Sequence, residues 1–362
     1  MLKKINQLSL GKCINLKTLT HVLIIFSILF TFVVLINWNR LFEQNSFTGK
    51  WLNNKKNFSP SNATNLQNKS QEQILNVLFI ETKRDRKTFS MRQLCAVESA
   101  AFNNPNGNIL VYSLNASIDN ELLQMYKNIK FIRLDVDKVL DDTILEKWWS
   151  TDNRRLLKGS HPIEHLADLL RIVLLYKHGG IYSDLDTINI RSFKELLDYN
   201  GVGQADNTNP GNGFLVLSKH NRLLEKAMKE FGSTYNPHHW DANGPALFLR
   251  VIKQYCNSTD PFNQLLLFKT SSGLSKNSTC DTSIFPYNFF YPISWISANQ
   301  LFQHDSSISI KDFIDTYSVH FYGKLTSNQP VKWQENSIYE YFSSFNCPLV
   351  YGKLRSRRIE SI

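Results

Sequence analysis

The sequence predicts an α/β fold built on a mainly parallel sheet, preceded by one N-terminal transmembrane helix and a flexible stem. Three observations predict it. After residue 75, short apolar runs alternate with segments of helical period. Near the N-terminus, Thr18 to Asn39 carries no Asp, Glu, Lys or Arg. Between the two lies a polar stretch with no sustained period. At 362 residues, 42% apolar and 20% charged, the chain has ordinary globular composition, enough for one large domain or two modest ones.

The uncharged run has the core "VLIIFSILFTFVVLI", in which only Ser27 and Thr31 are polar. About 20 helical residues cross a hydrocarbon core. Lys3, Lys4, Lys12 and Lys17 precede it without any acid, which places residues 1–17 in the cytosol and everything after residue 39 in a lumen. A cleaved signal peptide is the alternative, but "NWNRLFEQ" offers no small-residue cleavage site. Residues 40–75 are rich in Asn, Gln, Ser and Lys and bury too little surface to offset chain entropy, so they read as a stem. Sequons at Asn57, Asn62, Asn68, Asn115, Asn257 and Asn277 agree with a lumenal body. The net charge of +10 forms no long basic block and no nucleic-acid-reading motif is present, so we expect no nucleic-acid partner.

The folded part, 76–362, opens with "NVLFIET" (76–82), an apolar run of the buried parallel-strand kind. "SMRQLCAVESAAFNN" has helical spacing, Asn103–Asn108 is a polar turn, and "NILVYSL" and "IKFIRLDV" are further strands. "PIEHLADLLRIVLLYKHGG" is the clearest helix: Pro162 suits its first turn, Lys177 and His178 suit the negative end of its dipole, and Gly179 stops it. "GFLVLS" is a strand; "NRLLEKAMKEF" and "GPALFLRVIKQYC" are helices. No repeat or second stem-like linker divides this part.

Cys95, Cys256, Cys280 and Cys347 follow the anchor. An even number in an oxidising compartment suggests two disulfides, with three pairings open and free buried thiols as the alternative. We expect Cys256 with Cys280, because the residues between them carry two sequons and "SSGLS" and form an exposed loop; Cys95 is then left for Cys347. No CxxC pair suggests zinc.

"HGGIYSDLDTINI" (178–190) holds Asp184 and Asp186, two residues apart. In an extended strand both carboxylates face the same side. They repel unless a cation or water separates them, and a hard divalent ion with open positions suits. A bare DxD is weak, since one is expected by chance, and Asp135/Asp137 in "RLDVDKVL" reads as a solvated strand end. Context adds weight. Asp168 and Arg171 precede the pair on a helix, and Gly179 and Gly180 let the chain turn and approach a ligand closely.

With "FIET" (79–82), "LCAVESAAFNNP" (94–105), "LADLLRIVLLYKHGGIYSDLDTI" (166–188), "NGFL" (212–215), "NGPALFLRVIKQYC" (243–256), "FYPI" (290–293) and "SVHFYG" (318–323) in order, residues 76–350 resemble the DxD sugar transferases of glycosyltransferase family 32, and within it the alpha-1,4-glycosyltransferases. The resemblance implies a GT-A type nucleotide-sugar-binding sheet, a UDP-sugar donor (UDP-galactose or a UDP-N-acetylhexosamine), Mn²⁺ or Mg²⁺, retention of configuration, a glycosphingolipid acceptor and a type II place in the Golgi membrane. It implies Asp184 and Asp186 as the metal and donor pair, with Asp186 coordinating directly and Asp184 nearer the ribose or a metal-bound water. Asp168 and Arg171 would face the donor, a plain i,i+3 ion pair being the alternative. Glu81 and Thr82 would meet the base, or merely cap the strand. Gly179, Gly180, Tyr182, Asn212 and Lys324 belong to the same donor-binding set. "VHFYGKLTSNQPVKW" resembles the late His-x-x-Gly and Lys–aromatic segment of the retaining family 8 enzymes, with different downstream spacing. It makes His320 a third metal ligand, a packed core histidine being the alternative, and Lys324 or Lys332 a diphosphate cation. Asn243 stands where vertebrate members carry Gln, and its shorter amide would lie near the anomeric carbon. No Asp or Glu is nameable as a covalent nucleophile, so same-face attack is the default and double displacement the competitor. A protein-linked acceptor, or a membrane-tethered sugar-binding protein without turnover, are the competing functions.

Overall fold

The computed structural model describes residues 74–115, 121–304, 308–331 and 336–357, all within the unit Ser70–Ile362. The expected tail 1–17, anchor 18–39 and all but the last two residues of the stem lie outside them, as do Lys332 and Trp333. Among the described residues no helix is long and apolar enough to cross a membrane.

The strands are β1 (Asn76–Glu81), β2 (Asn108–Ser113), β3 (Ile129–Arg133), β4 (Gly180–Ser183), β5 (Thr187–Asn189), β6 (Asn200–Gln204), β7 (Pro210–Leu217), β8 (Phe268–Thr270), β9 (Gly273–Ser275), β10 (Thr282–Phe285) and β11 (Ser318–His320). The helices are α1 (Met91–Asn103), α2 (Val136–Leu140), α3 (Glu146–Leu157), α4 (Pro162–His178), α5 (Arg222–Thr234), α6 (Pro245–Tyr255), α7 (Pro261–Gln264), α8 (Tyr287–Phe290), α9 (Ile338–Asn346) and α10 (Pro348–Arg357). The main sheet has the order β10-β6-β7-β4-β1-β2-β3. Its pairings β4–β1, β1–β2, β2–β3 and β10–β6 are parallel, as expected; β7 runs antiparallel to both β4 and β6.

The first strand explains the layering. Val77 and Phe79 join a core shared with α1, α9 and α10, while Leu78 and Ile80 join a second core with α4, α5 and α6. Successive side chains point to opposite faces, so a strand apolar at four successive positions, Val77 to Ile80, must be covered on both. α1 begins where Ser90 accepts from the Gln93 N–H and the Gln93 side chain accepts from the Ser90 N–H, a reciprocal cap. α4 spans the expected residues and ends at Gly179 with φ +65°.

The run "RLDVDKVL" departs from expectation. β3 stops at Arg133, and Asp135 caps α2 by accepting from the Lys138 N–H. Asp137 accepts from Trp149 Nε1 at 2.6 Å. This acidic pair starts a helix.

Both disulfides form as expected: Cys95–Cys347, with Cα atoms 5.1 Å apart, and Cys256–Cys280, 5.6 Å apart. The first staples α1 to the chain between α9 and α10. In the chain-entropy account, closing loops of these lengths is worth about 5 and about 3 kcal/mol respectively. We therefore expect Cys347→Ala to lower the melting temperature more than Cys280→Ala does. Differential scanning calorimetry of the two variants checks this; the reverse order would contradict it.

Candidate active site

Asp184 and Asp186 sit in the turn between β4 and β5, rather than along a strand. The turn is closed by Thr187, whose hydroxyl donates to the Asp184 carbonyl at 2.9 Å. β11 pairs antiparallel with β5, His320 opposite Thr187, and so brings a residue from far down the chain to the turn. Asp184, Asp186 and His320 each offer a ligand atom, all within 4.8 Å of one another. His320 Nε2 lies 3.3 Å from Asp186 Oδ1 and 3.6 Å from Asp184 Oδ2. Side chains alternate along β11 and its flanks: Tyr317, Val319 and Phe321 are buried in the core, and His320 faces the carboxylates.

Each member is held by a different part of the fold. Asp186 Oδ2 accepts from the Gly323 N–H at 2.6 Å, while Asp186 Oδ1 is buried without a hydrogen-bond partner among the described residues. Asp184 Oδ1 accepts from the Tyr182 hydroxyl at 2.5 Å and lies 3.4 Å from Arg171 Nη1. The Tyr182 ring lies under the Arg171 guanidinium, 4.5 Å from centroid to Cζ. His320 Nδ1 accepts from the Tyr322 N–H at 3.1 Å. A buried carboxylate oxygen with nothing to accept is costly unless a cation meets it. Two carboxylates and an imidazole around that oxygen suit a divalent ion, so the residues fit the metal that the resemblance implies.

Behind this group the buried Asp168 and Arg171 form a connected network. Arg171 Nη2 is 3.4 Å from Asp168 Oδ1, and Nη1 donates to the Asn212 carbonyl at 2.6 Å. Asn212 Nδ2 donates to Asp168 Oδ1 at 2.7 Å. The i,i+3 ion pair and the link to the acidic turn are thus both present. Burial works against the Asp184 charge, but Arg171, His320 and Tyr182 overcome it and hold that carboxyl at about 2. For Asp168 burial wins over Arg171 and Asn212, and its carboxyl is pushed up to about 6 from 3.8.

The neutral form of Asp168 therefore favours folding. That contribution is complete below pH 3.8 and is lost as pH rises through about 6. Asp168→Asn keeps an acceptor for Asn212 and removes the dependence. We expect wild-type stability to fall relative to the variant by about 3 kcal/mol between acidic and neutral pH. Parallel denaturation curves across that range would contradict it.

The remaining expected residues are placed as follows. Asn243 is buried, and its amide is spent on a loop: Oδ1 accepts from the Asn236 N–H at 2.9 Å and Nδ2 donates to the Asn236 carbonyl at 2.7 Å. Glu81 accepts from the Lys83 N–H and from Gln93 Nε2 and pairs with Arg86, and Thr82 donates to the Ile163 carbonyl. Both thus have strand-end partners. Lys324 Nζ is paired with Glu164 at 2.5 Å on the first turn of α4. Gly179 and Gly180 lie at the opposite end of β4 from Asp184. A Cβ on Gly179 would meet Lys219 N at 2.5 Å, and one on Gly180 would strike the Asn76 carbonyl. The pair admits neighbouring backbone rather than a ligand, which corrects the expectation.

Two positions belong to the site that sequence reasoning did not single out. Gly213 packs beneath it, where a Cβ would come within 2.6 Å of Asp184 Oδ2 and 3.1 Å of His320 Nε2. Its carbonyl accepts from the Asp184 N–H at 2.9 Å. Tyr291 has a buried hydroxyl without a partner among the described residues, and its ring lies 5.3 Å from that of His320. "NGFL" and "FYPI" contain these residues, and the glycine inside a strand was the available clue.

Two family models match the chain in succession. Residues 90–203 match the glycosyltransferase sugar-binding region containing the DXD motif, and residues 216–354 match the alpha 1,4-glycosyltransferase conserved region. Lactosylceramide 4-alpha-galactosyltransferase of Mus musculus is 26% identical over 291 residues, covering 77% of this chain and 76% of that protein. Alpha-1,4-N-acetylglucosaminyltransferase of Homo sapiens is 24% identical over 293 residues, covering 77% of this chain and 80% of that protein. A galactosyltransferase solved with donor and acceptor sugar analogs superposes with a TM-score of 0.37 at 12% identity, over 78% of this chain and all of that one, too distant to bear on the site. A DXD region and an alpha-1,4 region, matched in order around one acidic turn, mark the chain as a sugar-transferring enzyme similar to the alpha-1,4-glycosyltransferases.

Proposed function

We propose that this protein is a retaining glycosyltransferase. It moves galactose or an N-acetylhexosamine from a UDP-sugar to a hydroxyl of a glycolipid, forming an alpha-1,4 bond. The observation that carries the reading is the convergence of Asp184, Asp186 and His320 on a buried Asp186 oxygen that has no hydrogen-bond partner among the described residues. Galactose and N-acetylhexosamine donors are suggested by the names of the two relatives, and a lipid acceptor by the first of them. The uncharged run 18–39 behind four lysines supports a type II anchor in the Golgi membrane, with a stem to residue 75 and a lumenal catalytic domain from residue 76.

In this reading Asp184, Asp186 and His320 hold Mn²⁺ or Mg²⁺, which when bound offsets the negative charge that gathers on the departing diphosphate. Arg171 and Tyr182 fix Asp184 in its ionised form and in one orientation. The Gly323 N–H holds the Asp186 carboxylate in one orientation. Lys324 is the nearby cation for the diphosphate once it leaves Glu164. The anomeric carbon–oxygen bond to the diphosphate breaks while the bond to the acceptor hydroxyl forms on the same face. The hydroxyl proton passes to the leaving phosphate oxygen, so no side chain has to serve as nucleophile.

The full chain in detergent, with Mn²⁺ and a panel of UDP-sugars, tests this. We expect one UDP-sugar to release UDP faster when a glycolipid with a terminal galactose is added. Release that depends on a glycoprotein acceptor instead would overturn the lipid assignment. No metal-dependent release with any donor would overturn the transferase reading.

A further inference from the structure

Trp240 is 51% exposed. Solvent-facing tryptophan is informative when the loop beneath it is rigid, because the apolar face is then presented rather than merely left over. The loop between α5 and α6 is tied at several points. The Asn243 amide clamps the Asn236 backbone from both sides. Asn236 Oδ1 accepts from the N–H groups of His238 and His239. The buried His165 of α4 donates from Nε2 to the His239 carbonyl at 3.1 Å. Gly244 ends the loop against Asn212 and Asp168, in space a Cβ would fill.

The Trp240 ring is linked to the metal-ligand group through Lys324. Lys324 Nζ is 6.0 Å from its centroid, and the residue before Lys324 donates its N–H to Asp186. Its sequence neighbours His238, His239 and Asp241 are exposed and polar. One flat apolar face among polar sequence neighbours matches a pyranose ring, which offers a C–H face and a hydroxyl edge. A lipid surface would call for a broader apolar patch.

Building on the transferase reading above, we propose that Trp240 is the stacking platform for the acceptor saccharide and sets how that sugar is held beside the metal-ligand group. Asn243 acts through it as a positioning residue, fixing the loop that carries the ring.

The test uses the full chain in detergent with Trp240→Ala and Trp240→Phe. Free lactose and N-acetyllactosamine serve as probes, and binding is read by saturation-transfer NMR beside acceptor and donor KM. Truncation to Ala should weaken saccharide binding and raise acceptor KM on the order of 30-fold, the effect of removing an aromatic anchor, with Phe retaining most of it. The rise should fall on the acceptor and spare the KM for the UDP-sugar, and an unchanged Mn²⁺ titration would show the site intact. Equal rises in both KM values, or unchanged saccharide binding in the Ala variant, would overturn the proposal. So would loss of association with phosphatidylcholine–phosphatidylserine vesicles instead, which would make Trp240 a membrane contact. Should no sugar transfer occur at all, the transferase reading fails, while saccharide binding by NMR still decides on Trp240: lost in the Ala variant supports it, absent from wild type overturns it.

Discussion

Asp186→Asn is expected to abolish sugar transfer while leaving the fold intact. The change keeps volume, and the amide oxygen can still accept the Gly323 N–H. It then turns an NH₂ toward the position of the unpartnered Oδ1, 3.3 Å from His320 Nε2. A donor there repels a cation where a carboxylate attracts one. Removing a preorganised electrostatic contact of this kind costs about 10²–10³ in rate, and losing a charged ligand should cost at least as much. The matched control is Asp137→Asn. Its amide oxygen retains the bond from Trp149 Nε1, and activity should stay near wild type. Transfer rate, melting temperature and Mn²⁺ binding by calorimetry should be measured on both variants. Equal losses of transfer would show that choosing between the two acidic pairs had no basis.

That choice could be made on sequence because its context was local. Helix, double glycine and acidic pair lie within one stretch, and α4 shows its length and stop in the 3.6-residue period, the terminal cations and Gly179. β1 was legible for a similar reason, as a run apolar at four successive positions, Val77 to Ile80. What sequence did not reveal depends on pairing between distant segments. The antiparallel entry of β7 beside β4 sets Ser183 opposite Phe214, and this register brings Asn212 and Gly213 to the acidic turn. Periodicity tells which face a side chain takes, and is silent on which strand lies next to it. The same limit hid the partners of Asn243 and of the glycine pair. An amide and two glycines near a DxD look alike whether they meet a ligand or another stretch of backbone, and only the neighbours Asn236, Asn76 and Lys219 tell them apart. His320 is the opposite case: the period of two in "DTYSVHFYG" puts it on the other face from Tyr317, Val319 and Phe321, which are buried in the core.

The second large effect is expected at His320, where Ala should raise the Mn²⁺ requirement at least tenfold, within the range of 10–100-fold that even supporting residues of metal sites show. The ring is tied by the Tyr322 N–H, which donates to Nδ1 at 3.1 Å, so the neutral imidazole carries its proton on Nε2, facing both carboxylates. Proton and metal therefore contend for one place. Burial lowers the tendency of this ring to charge, but Asp186 and then Asp184 outweigh it and hold its pKa above the ordinary 6.5. Wild-type Mn²⁺ affinity should accordingly begin to fall while the pH is still above that value, and the Ala variant should show a shallower decline. Calorimetric Mn²⁺ titrations at several pH values, run beside thermal melts, separate the two roles open to this histidine. If it serves only as packing against Tyr291 and Tyr322, whose rings lie 5.3 and 4.6 Å away, the variant loses melting temperature and keeps the wild-type titration. An unchanged titration would remove His320 from the site and leave the acidic turn as its whole protein ligand set.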